Sequence, residues 1–137
     1  MKLIRPVHDL VKEFPTFEQA DLCAQMRRAS KSIPANIAEG FSRRLTARDF
    51  KLYLAHALGS ANEMIVHLAV AEELAYCELA ASQPLIGEYR IVTRQLARLI
   101  QVWRDPRERA SPPRSIPKHP SPSSDSDSNH HRPSPSS

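Results

Sequence analysis

The stretch "SKSIPANIAEG", Ser30 to Gly40, carries a proline in the middle of an apolar repeat. Around it, Leu22, Met26, Ala29, Ile33, Ile37 and Phe41 recur at spacings of 4, 3, 4, 4 and 4, the period of one face of a helix. An internal proline removes one backbone hydrogen bond, here to the Ser30 carbonyl, and its ring crowds that carbonyl at about 3 kcal/mol. A break would shift the phase of the repeat. The phase holds, so the spacing predicts one continuous helix kinked at Pro34, with the Ser30 or Ser32 hydroxyl serving the freed backbone groups. A second, polar stripe of Ser32, Asn36, Glu39 and Arg43 follows at 4, 3 and 4. Two readings fit it: a solvated face, or a polar seam against another helix or subunit in which Asn36 and Glu39 fix register. Gly40 beside it permits close approach of another backbone.

The same period extends in both directions. Upstream, Pro6 stands as a first-turn proline before Val7, Leu10, Val11 and Phe14, and Pro15 stops a short helix. Thr16 and Gln19 then form a capping-box pattern ahead of the helix just described. Downstream, Thr46 and Asp49 stand in the same relation before Phe50, Leu54, Ala57, Ala61, Ile65, Leu68 and Leu74, a helix of roughly 29 residues and about 43 Å. Ser82 and Pro84 open a fourth, with Leu85, Tyr89, Val92, Leu96, Leu99 and Trp103 on one side. No segment alternates as a strand does. Four amphipathic helices with short joints predict an all-α, antiparallel up-down four-helix bundle with a short first helix.

Composition bounds the bundle to residues 1–104. From Asp105 to Ser137, eight of the twelve prolines and ten serines occupy 33 positions, a composition that cannot bury enough surface to offset ordering, so 105–137 reads as a disordered tail. Over 1–104 there are 14 Lys and Arg against 11 Asp and Glu, a mild basic bias that permits polyanion binding. Cys23 and Cys77 are lone cysteines, residues 1–14 are too charged for a secretory signal, and no run of apolar residues is long enough to span a bilayer. The chain therefore reads as cytoplasmic, with reduced thiols and no membrane partner.

"SIPANIAEG" (Ser32 to Gly40), preceded by "QMRRA" (Gln25 to Ala29) and followed by "ALGSANE" (Ala57 to Glu63), resembles the bacterial four-helix-bundle proteins encoded in ribosomal RNA intervening sequences. Phe14, Pro15, Glu18, Leu22 and Gln25 are similar to that family's entry into its second helix, and the resemblance covers about Phe14 to Trp103. It implies a helical bundle assembled as a ring, typically a homopentamer. Such proteins are similar in fold to the accessory variability proteins of diversity-generating retroelements, basic rings that bind nucleic acid and a reverse transcriptase. Most members have no assigned activity. The motif residues Ser32, Pro34, Asn36, Glu39, Gly40, Gly59 and Glu63 are structural on this reading. Three features depart from the family pattern: a shorter first helix, Lys31 where a small or apolar residue is usual with Ser42 where glycine is common, and the Pro/Ser tail.

The strongest chemical signal is basic. Arg90, Arg94 and Arg98 recur every fourth residue, about 6 Å apart along the fourth helix and opposite its apolar stripe, a line that can follow a phosphate backbone. Arg27 and Arg28, then Arg43, Arg44 and Arg48, add clusters, and ring assembly would repeat all of them around an axis. An ordinary solvated face is the competing reading. Aromatics are only 6% of residues and most lie in apolar stripes, so the expected contact with RNA or DNA is to phosphates, without a stacking platform. His56, Glu63 and His67 share one side of the third helix and could form a metal ladder, but a polar seam is the better account because the Glu-x-x-His pairs of di-iron bundles are absent. Three glycines cannot write a phosphate-binding loop or a dinucleotide fingerprint, and no nucleophile elbow exists. Sequence thus points to a non-enzymatic, cofactor-free oligomer that binds nucleic acid or a nucleic-acid enzyme, or else to a structural oligomer that recruits a protein partner.

Overall fold

A computed structural model describes residues 2–104; the expected tail, 105–137, lies outside the described residues. Helix α1 spans Ile4–Val11, α2 Leu22–Ser42, α3 Ala47–Glu73 and α4 Leu79–Val102, with a single 3₁₀ turn at Thr16–Glu18. The helices pack in sequence: α1 on α2, α2 on α3, α3 on α4. Their inner faces form one core in which Val7, Cys23, Met26, Ile33, Phe50, Leu54, Met64, Leu68 and Tyr89 are fully buried. Each large aliphatic side chain there stabilises the fold by about 1.5–3 kcal/mol through lost apolar hydration.

The buried face follows a stricter period than the sequence stripes. In α3 it is Phe50, Leu54, Ala57, Ala61, Met64, Leu68 and Ala71, at 4, 3, 4, 3, 4 and 3. The stripe through Ile65 and Leu74 is therefore corrected: Ile65 is half-buried and Leu74 is 50% exposed. Each step of four overshoots a helical turn, and a step of three must restore it. The same drift operates in α2. Ile37 is half-buried and Phe41 46% exposed, while Asn36 is half-buried and Gly40 buried at the positions that keep the alternation of four and three.

The helix ends also differ from the sequence reading. Helix α2 runs unbroken through Pro34, as expected, but neither nearby hydroxyl serves the freed Ser30 carbonyl. Ser30 Oγ donates to Arg27 O (2.8 Å), and Ser32 Oγ pairs with Ser60 Oγ. Pro6 is the third residue of α1, where its missing N–H is still one of the helix's orphans. No capping box forms at Thr16. Instead the Gln19 amide reaches back and donates to Val11 O (2.8 Å) and Phe14 O (3.2 Å), closing the end of α1. Thr46 is the N-cap of α3 but makes no side-chain cap bond. Helix α4 begins at Leu79, a turn ahead of Ser82, so Pro84 lies inside it.

At the end of α3 the chain reverses through a left-handed residue. Ala75 has φ 57°, Tyr76 N–H donates to Ala71 O (2.9 Å) and Ala75 N–H to Glu72 O (3.0 Å), the two bonds of a Schellman motif. This turn delivers Tyr76 against Phe14 and Phe17, with ring centroids 5.6 and 6.3 Å away. The α1–α2 connection and the α3–α4 joint thus share one end of the bundle. At the opposite end Trp103 stacks on Phe50 at 4.3 Å, setting the last turn of α4 beside the first turn of α3.

Candidate nucleic-acid interface

Because Leu85, Ile86, Tyr89 and Leu96 turn inward, the other side of α4 is left to Arg90, Arg94 and Arg98, and all three are exposed. None forms an ion pair with an acidic side chain among the described residues. The line runs toward the Trp103 end, where the α2–α3 joint carries Arg43 and Arg44 and the first turn of α3 carries Arg48, all exposed. Unbalanced positive charge of this kind attracts polyanions over about a Debye length.

The eight arginines singled out in the sequence are not one patch. Arg27 is half-buried and donates to Gln19 O (2.9 Å) and Gln19 Oε1 (3.3 Å), so it ties α2 to the α1–α2 connection at the far end. Arg43 pairs with Glu39 at 3.0 Å and lies over the Tyr53 ring at 5.5 Å; the hydrogen bond to Glu39 raises its already high pKa. Arg44 donates to Phe41 O (2.8 Å), closing the last turn of α2. Arg28 and Arg48 remain exposed with no ion-pair partner among the described residues.

The polar stripe of α2 divides between its two readings. Its first half is a seam: Ser32 Oγ and Ser60 Oγ share a 2.9 Å hydrogen bond between α2 and α3, and Asn36 Nδ2 donates to Ser32 O (2.8 Å) and Oγ (2.9 Å). Its second half, Glu39 and Arg43, is a solvated pair. Gly40 is buried where a Cβ would come 3.2 Å from Tyr53 Cβ, so the close approach expected there is made to α3. Gly59 is the reverse: a Cβ would meet nothing within 4 Å, and the close crossing its sequence neighbours suggested is absent among the described residues. Beside the seam lies an open cleft of about 530 Å³ lined by Gln25, Arg28, Ala29, Ser32, Ser60 and Glu63.

His56, Glu63 and His67 do not converge. Glu63 Oε1 is 3.9 Å from His67 Nε2, beyond hydrogen-bond length, and His56 instead meets the Tyr53 ring edge-on at 6.1 Å. Among the described residues no group of His, Cys, Asp and Glu is placed to hold a metal ion. Cys23 is buried and donates to Val11 O (3.6 Å), and burial raises the pKa of both Cys23 and Cys77, which suits packed thiols rather than nucleophiles. No described helix is long and apolar enough to cross a membrane.

Comparison with known proteins adds the family. Residues 1–98 match the sequence model of the family described as 23S rRNA-intervening sequence protein. No curated protein matches the chain.

Proposed function

Since the chain belongs to the 23S rRNA-intervening sequence protein family, we propose that it is a non-enzymatic basic scaffold, assembled from several copies, that binds RNA or DNA through phosphates. The single observation carrying this reading is the exposed line of Arg90, Arg94 and Arg98 without an acidic partner among the described residues. In a ring-like homo-oligomer such as a pentamer, each line is repeated and the fields add, so a weak monomeric contact becomes a strong multivalent one. A nucleic-acid enzyme such as a reverse transcriptase would then be held beside its substrate. Contacts of this type release counterions. Each arginine on a phosphate adds about 0.9 to the slope of log affinity against log salt on duplex DNA.

The test is binding of unrelated RNA and DNA duplexes at a series of salt concentrations, with the triple charge reversal of Arg90, Arg94 and Arg98 to Glu as comparison. Salt-dependent, sequence-tolerant binding that the triple variant loses while keeping its helical spectrum is the expected result. No binding at low salt refutes it. A second reading, a structural oligomer that recruits a protein partner, is favoured by the exposed apolar residues Leu52 and Val66 on α3, and would leave the arginine variant indistinguishable from the parent.

A further inference from the structure

The face of α3 turned away from the core has a heptad pattern of its own. Leu52, Ala55, Gly59, Asn62, Val66 and Ala69 follow at 3, 4, 3, 4 and 3, and all six are exposed; Leu52 is 52% exposed and Val66 59%. This is the alternation that buries the opposite face of the same helix, and it is the period of a coiled-coil seam. Among the described residues nothing covers it. Gly59 sharpens the point: a mid-helix glycine costs about 1 kcal/mol against alanine, and no neighbour within 4 Å among the described residues requires one.

We infer that this face of α3 docks the same face of a second copy of the chain, antiparallel, about a two-fold axis between Gly59 and Asn62. One register makes the seam self-complementary. It sets Leu52 against Ala69, Val66 against Ala55 and Asn62 against Gly59, a large side chain opposite a small one in every layer, over about 26 Å of helix. The flanks then agree as well, with one pair of opposite charge, one able to hydrogen-bond and one apolar. Lys51 faces the partner's Glu72, His56 faces the partner's Glu63, and the half-buried Leu58 faces the partner's Ile65, each pair occurring twice. Lys51 has no ion-pair partner among the described residues, and Glu72 accepts only from the neutral Ser82 (2.5 Å) and Gln83 (2.7 Å), which leaves its charge unbalanced.

The other arrangements fare worse on the same residues. Sliding one heptad places Glu63 against its own symmetry mate. A parallel pair puts Gly59 opposite Gly59, leaving a void, and Lys51 beside His56, which supplies no attraction. The two-fold contact makes pairs; it adds to, and does not build, the head-to-tail contact that a ring requires.

Cross-linking tests the register directly. In the full-length chain, the double variant Ala55→Cys with Val66→Cys should form intermolecular disulfide dimers under mild oxidation. Each single variant and the parent, with Cys23 and Cys77 in place, should not, because like positions are about 16 Å apart in the pair, too far for a disulfide. In sedimentation, Lys51→Glu should weaken pairing through α3 about tenfold, Lys51→Arg should preserve it, and Val66→Glu should abolish it, halving the assembled mass while any ring contact and the helical content stay unchanged. A chain that is monomeric at all concentrations overturns the proposal, as does an oligomer indifferent to Val66→Glu. Cross-linking through Gly59→Cys with Ala69→Cys in place of the first pair overturns the register. None of these substitutions touches the α4 arginines, so nucleic-acid binding is read out separately.

Discussion

Replacing Tyr89 with phenylalanine removes one oxygen from the centre of the core. Tyr89 is fully buried, and its hydroxyl reaches no hydrogen-bond partner within the described residues. A buried hydroxyl left unpaired costs about 1–3 kcal/mol, whereas the ring it sits on is needed for packing. Tyr89→Phe keeps the ring, so the variant is expected to be about 1 kcal/mol more stable at neutral pH. Alkali enlarges the difference. Burial pushes the Tyr89 hydroxyl from 10.0 up to about 12, so its neutral form is favoured by folding. The associated stability is present in full below the unfolded value and is lost as pH rises through the folded one. At about pH 11 the unfolded tyrosine is mostly ionised and the folded one is not, which costs the parent roughly 1.4 kcal/mol that the variant does not lose. Urea unfolding followed by circular dichroism at both pH values, at matched protein concentration, measures the two numbers. A variant less stable than the parent at neutral pH, or a difference that does not widen in alkali, would show that Tyr89 Oη has a partner and refute the reasoning.

Ala75→Gly should stabilise the α3–α4 joint by up to about 1 kcal/mol, because the left-handed backbone at φ 57° strains an L side chain and not glycine; a shift in the urea midpoint checks it. Ser60→Ala should cost about 1 kcal/mol, since Ser32 Oγ keeps the Asn36 amide but loses its bond across to α3, and Ser32→Ala should cost more because both bonds go. Gln19→Ala frees the Val11 and Phe14 carbonyls and one anchor of Arg27. Amide exchange should then quicken in residues 4–14 before it changes in α3, and uniform exchange would contradict the role given to this side chain.

Much of the fold was legible because helix periodicity is local. Leu22, Met26, Ala29 and Ile33 were placed in the core by spacing alone, and the continuity of α2 through Pro34 followed from phase. Periodicity misleads where errors of phase accumulate. Spacings of four carried the α2 stripe to Phe41 and the α3 stripe to Leu74, off the face that packs, while Gly40, Met64 and Ala71 took the buried positions. Gln19 was legible as polar and near a helix start, but its partners are the last carbonyl of the preceding helix and one just beyond it, eight and five residues back. Of the arginines, spacing located the exposed line on α4 but could not show that Arg27 and Arg43 were already engaged.

Sequence by itself determined four amphipathic helices, their order, and the family motif, since each depends on residues within a turn or two of one another. Only the tertiary structure decided which polar groups became a seam, which arginines found partners among the described residues, and that α3 presents a second heptad face that none of those residues covers. These depend on what a neighbouring helix brings across the gap. Ser60 stands 28 residues from Ser32, and Tyr53 closes on Gly40 from the other side of a turn. A side chain's period says which way it points, but the partner it meets there is chosen by packing.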